Sequence, residues 1–283
     1  MKSIVFLDLD GTLWWGEKIP ESALKAIRMA QANGHLIFTN TGRSRSCAQP
    51  LLEHLPLTGQ VYSAGSEIWV HGKPIFCQPL GADRARRMLD QLNQLDIAIT
   101  LEGSNTLFHN AKARQRFEKK AKSESGMPKM DIFMTAPDIS EIKDEEFADV
   151  MKISVHGLQE GQIDDLIKQE GLTMTEFSVF KDTGINGELT DRHLTKGTAF
   201  QTILDTLDEP YQTIAFGDSD NDLPMFKTAD LSIAMGNATN PVKDAADFIT
   251  ETIFDDGLYK AFDRLGLLDN AKEPEWTVEN KKA

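Results

Sequence analysis

Ile4-Val5-Phe6-Leu7-Asp8-Leu9-Asp10-Gly11-Thr12 carries the reading of the whole chain. Its four apolar residues have the composition and length of a buried strand, and they deliver two carboxylates to that strand's C-terminal edge. Gly11 then lets the backbone turn sharply. In open α/β sheets this edge is where ligands bind. Two acids two positions apart repel one another unless a cation or a shared proton relieves them. Asp8 and Asp10 therefore point to a metal or phosphoryl site rather than to a packing feature.

A second acidic cluster lies far along the chain. Thr213-Ile214-Ala215-Phe216 reads as another short buried strand, followed by Gly217-Asp218-Ser219-Asp220-Asn221-Asp222. If both strands belong to one parallel sheet, Asp8, Asp10, Asp218 and Asp222 can converge on one hard cation. An all-oxygen set of this kind suits Mg²⁺, which keeps several waters and takes one or two carboxylates plus substrate phosphate. The spacing of Asp218, Asp220 and Asp222 also opens an EF-hand, but that loop needs Gly next and a bidentate Glu at its twelfth position. Those positions hold Leu223 and Ala229, so the calcium-loop reading fails. Asp220 reads as a solvated loop acid.

Between the two clusters the pattern alternates strand and helix. Pro20 suits a helix's first turn, with a modest stripe at Leu24, Ile27 and Ala30 and a stop at Gly34. His35 to Asn40 reads as the next strand, ending in Thr41-Gly42-Arg43, which completes a βαβ unit and implies a parallel sheet. Glu67 to Val70 and Pro74 to Cys77 resemble a hairpin. From about Gly81 the rhythm changes. Ala85, Met88, Leu89, Leu92 and Leu95 form a helical stripe, and strands are expected at 97–101, 106–108, 150–155 and 172–179. A helix is expected over Gln159 to Gln169, and a loop around Gly126-Met127-Pro128. The basic cluster within Lys112 to Lys122 reads as a solvated helix face. Residues 81–187 thus form a separate α/β insert. The chain returns to the first domain with a helix near Thr195, the strand at Thr213, short strands at Leu231 and Phe248, a helix from Pro241 and a polar tail beyond Asp269.

Composition narrows the function. A chain of 283 residues accommodates two domains. No apolar stretch approaches the ~20 residues of a membrane span, and Asp8 cuts the first apolar run too short for a signal peptide. Cys47 and Cys77 make neither a disulfide framework nor a zinc cluster, which predicts a cytoplasmic protein with reduced thiols. A formal charge of −14 argues against nucleic acid as a partner. It also means that a phosphate site needs local positive potential from a metal, a lysine or helix N-termini. Walker, dinucleotide-fingerprint and nucleophile-elbow motifs are missing.

Four ordered motifs then point to a family: Asp8-Leu9-Asp10-Gly11-Thr12, Thr41-Gly42-Arg43, Lys196 within Leu194-Thr195-Lys196-Gly197, and Gly217-Asp218-Ser219-Asp220-Asn221-Asp222-Leu223-Pro224-Met225. Together with Ala234-Met235-Gly236-Asn237-Ala238, they make the chain resemble the haloacid dehalogenase superfamily of phosphotransferases, and within it the Cof-type phosphatases. The resemblance implies a Rossmann-like parallel-sheet core with helices on both faces (1–80 and 188–283) and a large inserted α/β cap (81–187) that closes over the site, with hinges near Leu80 to Gly81 and Gly184 to Leu189.

It further implies that Asp8 attacks phosphorus, Asp10 acts as acid and base, Thr41 binds a phosphate oxygen beside the Gly42 amide, and Lys196 holds Asp8 and the phosphate together. Asp8, Asp218 and Asp222, with the Asp10 carbonyl, position Mg²⁺, while Asn221 orients groups around it. Gly11 and Arg43 complete the expected substrate-binding set; Arg43 either contacts phosphate or packs at a helix start. Thr39 competes with Thr41 and fits the family position less well. Of Trp14 and Trp15, one is expected in the core and the other at the substrate entrance. The expected activity is hydrolysis of small phosphate monoesters such as sugar phosphates, with no nucleic-acid or membrane partner. A phosphomutase acting on a hexose phosphate and a non-catalytic phosphate-ligand sensor are the alternatives. Glu102, Asn105, Lys152, His156 and Lys181 are candidate cap contacts to substrate.

Overall fold

A computed structural model describes residues 2–16, 18–123, 131–177 and 184–269. Lys181, the expected loop around Gly126-Met127-Pro128 and the tail beyond Asp269 lie outside the described residues. The chain divides into two compact units, one drawn from Met1–Thr39, Leu55–Gly59 and Leu207–Ala283, the other from Asn40–His54 and Gln60–Thr206.

In the first unit, β1 (Ser3–Leu7) lies between β2 (Leu36–Asn40) and β11 (Gln212–Gly217), with β12 (Leu231–Ala234) and β13 (Phe248–Ile249) beyond β11. Every pairing in this run is parallel. The reason is visible in β1, where Ile4, Val5, Phe6 and Leu7 are all fully buried. A strand covered on both faces reads as a continuous apolar run, and each such side chain contributes about 1.5–3 kcal/mol of burial. From β1 the chain crosses to β2 on one side, whereas β11 leads to β12 and β13 on the other. Right-handed crossovers then place helices on both faces, and the switch in direction at β1 opens a crevice at the strands' C-terminal ends.

The helix after Pro20 spans Glu21–Ala32, as expected, but it buries Ala23, Ala26, Ile27, Met29 and Ala30 while Leu24 is only half-buried. Small alanines line the packed face because this helix lies against Gly257–Arg264, where Ser22 donates to Asp256 Oδ1 at 2.6 Å and Lys25 sits over the Tyr259 ring.

The second unit contains β3 (Gly59–Tyr62) apart from its first residue, and the hairpin β4 (Glu67–Val70) and β5 (Lys73–Cys77). His71 and Gly72 both take positive φ in that hairpin's two-residue turn, the geometry that suits right-handed strand twist. A further sheet has the order β7-β6-β8-β10-β9, built from β6 (Ala98–Gly103), β7 (Leu107–His109), β8 (Val150–Leu158), β9 (Leu172–Glu176) and β10 (Ile185–Asp191). These strands pair antiparallel.

Two expectations are corrected in this unit. The helix expected from Gln159 begins at Asp164, after a turn in which Gly161 takes a φ of 71°. Gly184 to Leu189, read as a hinge, is largely β10, paired on both sides by β8 and β9. Its interleaved Asn186, Gly187, Glu188 and Thr190 hide the strand from any search for apolar runs.

This sheet has two unlike faces. Ile99, Leu101, Ile153, Val155 and Leu189 join Met88, Leu92 and Leu166 in an apolar core. The alternate positions, which a pleated strand must turn the other way, are Thr100, Glu102, Lys152, Ser154, His156, Asn186 and Glu188. All are buried except the half-buried Glu188. A buried polar face is costly unless its groups satisfy one another, and the site geometry explains how they do.

Candidate active site

The parallel register sets the acidic cluster. Leu7 pairs with Phe216, and the Asp8 amide donates to the Phe216 carbonyl at 3.0 Å, so Asp8 and Asp218 emerge at the same sheet edge. One carboxylate oxygen from each of Asp8, Asp218 and Asp222 falls within 4.8 Å of the others. Asp8 and Asp222 are buried and Asp218 half-buried.

Local backbone features hold this geometry. The Asp222 carboxylate accepts the amides of Asp218 and Ser219 at 2.9 and 3.0 Å, closing the loop on itself. Thr12 Oγ1 donates to Asp218 Oδ1 at 3.2 Å. Gly11 has a φ of +90°, and a Cβ there would lie 2.3 Å from Asp218 Oδ2. Only glycine therefore permits both the turn and the approach of the two motifs. Asn237 Nδ2 donates to the Gly11 carbonyl at 2.8 Å, while its Oδ1 accepts the Ile253 amide. The Ala234–Ala238 stretch thereby buttresses the first motif. Asn221 Oδ1 accepts from Ser219 Oγ at 2.9 Å, and Asp220 is exposed as expected, taking a hydrogen bond from Thr239.

The side chain of Asp10 stands apart from the three-carboxylate group and accepts the indole N–H of Trp14 at 2.9 Å. Trp14 is the tryptophan of the core, fully buried, whereas Trp15 is 54% exposed and meets the edge of Phe254. The contact from Trp14 to Asp10 was not foreseen; its signal is the four-residue separation across the tight turn, where the Trp14 amide also returns to the Leu9 carbonyl.

Thr41, Gly42, Arg43 and Lys196 belong to the second unit. There Asn40 Nδ2 donates to the Lys196 carbonyl at 2.9 Å, and Lys196 is buried at the first turn of the helix Lys196–Leu204, which Thr195 caps. The three carbonyls of Thr41-Gly42-Arg43 are each tied down. Thr41 O accepts from Ala64 N at 2.9 Å, Arg43 O from Ser63 N at 2.8 Å and Gly42 O from Lys152 Nζ at 2.8 Å. Ser63 and Ala64 supply those amides from left-handed conformations with φ of 48° and 54°, a local strain that clusters at functional sites. Thr41 N donates to Val61 O, and Arg43 N donates to Thr41 Oγ1 at 3.1 Å. Thr39 Oγ1, the competitor, is buried without a hydrogen-bond partner among the described residues.

Lys152 is the hub of the polar sheet face. Its ammonium lies 2.5 Å from Glu188 Oε1 and 3.4 Å from Glu102 Oε2. Glu102 in turn accepts Ser44 Oγ at 2.8 Å and Ser154 Oγ at 2.6 Å. Burial alone would raise the Glu102 pKa, but the Lys152 charge and the serine hydroxyls hold it below the ordinary carboxylate value. Burial wins at Glu188, whose pKa is raised despite Lys152. Burial also works against the Lys152 charge, and the two carboxylates overcome it, keeping the ammonium above the usual lysine value. Lys152 and Glu102, expected as substrate contacts, thus spend their polar atoms on protein groups. His156 is buried between the edges of Phe117 and Phe177, and Asn105 is exposed, bonded to Arg45 and Asp149.

A family model of haloacid dehalogenase-like hydrolases matches residues 5–262. YkrA of Bacillus subtilis, named a candidate phosphatase, is 26% identical over 275 residues, covering 94% of this chain and 98% of YkrA. YcsE of the same organism, named a 5-amino-6-(5-phospho-D-ribitylamino)uracil phosphatase, is 28% identical over 262 residues, 91% of this chain and 93% of its own length. The solved structure of BT1666 from Bacteroides thetaiotaomicron, described among phosphatases of the same superfamily, superposes with a TM-score of 0.77 at 24% identity, over 94% of this chain and 96% of that one.

Proposed function

The chain belongs to the haloacid dehalogenase-like hydrolase family and is a phosphatase, and we propose that it hydrolyses small-molecule phosphate monoesters through an aspartyl-phosphate at Asp8. The observation that carries this reading is the meeting of Asp8, Asp218 and Asp222 at one sheet edge, two residues upstream of a second acid. An Asp8 oxygen attacks phosphorus, and the ester oxygen departs with a proton from Asp10. Asp10 then takes a proton from the water that attacks the same phosphorus, releasing inorganic phosphate and restoring Asp8. The Thr41 hydroxyl and Gly42 amide bind phosphoryl oxygens, and Lys196 supplies a compact positive charge. Gly11, Arg43 and Asn221 complete the proposed substrate-binding residues.

The donor set is all oxygen and triply acidic, which fits Mg²⁺ held by Asp8, Asp218, Asp222 and the Asp10 carbonyl. Bound there, the ion would neutralise charge between Asp8 and the phosphoryl oxygens. Residues 1–80 and 188–283 are proposed as the catalytic core and 81–187 as the cap. The ribityl phosphate in the name of YcsE supports sugar phosphates or related metabolites as substrates. Two free thiols, Cys47 and Cys77, support a cytoplasmic setting.

A phosphate-release screen over sugar and polyol monophosphates, with and without Mg²⁺, tests the reading. Mg²⁺-dependent release is expected from at least one. Silence across the panel, or phosphoryl transfer to a second sugar with no free phosphate, would sink it.

Acid–base help from a positioned group is worth about 10²–10⁴-fold, so Asp10→Asn is expected to lower kcat/KM by that factor. Trp14→Phe keeps an aromatic ring, though a smaller one, but removes the N–H that orients Asp10, and about a tenfold loss in kcat is expected. Steady-state kinetics of both proteins check this, and an unchanged kcat in Trp14→Phe would separate the indole from the chemistry.

A further inference from the structure

We propose that Lys152 is a positioning residue for the reaction: its ammonium fixes the Gly42–Arg43 peptide so that the Thr41 hydroxyl faces the phosphoryl group as a donor. This rests on Thr41 being a phosphate ligand, as above.

The carbonyl of Gly42 and the amide of Arg43 are the two ends of one peptide plane. Lys152 Nζ holds the oxygen end at 2.8 Å, and Thr41 Oγ1 accepts from the nitrogen end at 3.1 Å. A hydroxyl has one proton and two acceptor sites. Once an acceptor site is filled by Arg43 N–H, the proton of Thr41 is left to be donated elsewhere. A charged donor on the carbonyl polarises the peptide and strengthens the hydrogen bond at its other end, which ties Lys152 to the orientation of Thr41 without any direct contact.

The alternative orientation of that plane explains why a buried cation is placed there. Gly42 lacks a Cβ, so little resists rotation of the following peptide. Rotated, it would turn a carbonyl dipole toward an incoming phosphate and release Thr41 from Arg43. The neighbouring carbonyls, Thr41 O and Arg43 O, are restrained by the backbone amides of Ala64 and Ser63 respectively. Gly42 O alone in the loop depends on a side chain. Lys152 itself is committed, its three partners among the described residues being Gly42 O, Glu188 and Glu102. It therefore acts on the loop rather than on substrate.

The test is a double-mutant cycle with Thr41→Val, read by kcat/KM on the best ester of the screen and by the affinity for inorganic phosphate in the presence of Mg²⁺. Lys152→Met is paired with Glu188→Gln so that a single buried carboxylate, Glu102, loses its cation while keeping the hydroxyls of Ser44 and Ser154. Should that protein not fold, Lys152→Gln serves in its place. Thr41→Val alone is expected to lower kcat/KM about 100-fold. The Lys152→Met/Glu188→Gln protein should lose a similar factor and bind phosphate about tenfold more weakly, yet add less than about threefold on the Thr41→Val background. Lys152→Arg, which preserves a charged donor, should recover most of the activity. Losses that multiply in full across the two sites would overturn the proposal and leave Thr41 as a ligand. So would unchanged kinetics and phosphate affinity in the Lys152 variant. An inert Thr41→Val would overturn both readings.

Discussion

Asp8→Asn is expected to abolish phosphate release, with kcat falling on the order of 10⁴–10⁶-fold, the scale seen when a covalent nucleophile is removed. The amide is nearly isosteric, so the fold should survive: the Asp8 backbone amide keeps its bond to Phe216 O, and β1 remains buried against β2 and β11. What disappears is the charged oxygen that forms the bond to phosphorus, together with one of three carboxylates at the cation site. Rapid quench with a labelled phosphate ester should trap an acid-stable phosphoryl-protein in Asp10→Asn, whose nucleophile is intact, and none in Asp8→Asn. Turnover retained within about tenfold in Asp8→Asn, measured after excluding deamidation back to Asp, would remove Asp8 as the nucleophile and the aspartyl-phosphate with it.

How far the sequence led is best judged from particular residues. Where chemistry and secondary structure shared one signal, the reading carried through to geometry. An apolar run ending in acids marked both β1 and β11, and their parallel register brought Asp8 and Asp218 together. The stripe Ala85, Met88, Leu89 and Leu92 was legible because periodicity and burial coincided, and the hairpin at Glu67 to Cys77 because two short strands meet at a turn through His71 and Gly72.

The signal failed where burial is polar. β10 escaped notice because its inward residues include Asn186 and its cross-strand partner face carries Ser154 and Lys152, so no apolar alternation announces it. A strand whose polar side chains satisfy a buried network looks, in sequence, like a loop. Trp14 failed differently. Its contact with Asp10 depends on the conformation of a four-residue turn, which composition does not determine. The polar hub at Lys152 was visible only as a group of candidates, because its members come from β6, β8 and β10 and meet solely through sheet register.

Removal of divalent cation gives the other large effect, and its sign differs between activity and stability. Chelation should lower kcat by at least about 10³-fold, reversibly on adding Mg²⁺, since positioning and charge neutralisation supply most of phosphoryl-transfer catalysis. In the metal-free protein, however, three carboxylate oxygens within 4.8 Å of one another repel, at roughly 3 kcal/mol per fully charged pair for an effective dielectric of ~20 and less where Asp218 meets solvent. Thr12 and the amides of Asp218 and Ser219 offset part of this. Saturating Mg²⁺ at a hundred times its dissociation constant should add about 2.7 kcal/mol to the stability of the native state. Asp218→Asn retains the acceptor for Thr12 and relieves two repulsive pairs. It is therefore expected to leave the metal-free protein at least as stable as the parent while losing most of the Mg²⁺-dependent rise in Tm. Calorimetric scans of both proteins with and without Mg²⁺ read all four values. Full activity in chelator, or an undiminished Mg²⁺ shift in Asp218→Asn, would mean that these acids converge for some purpose other than holding a cation.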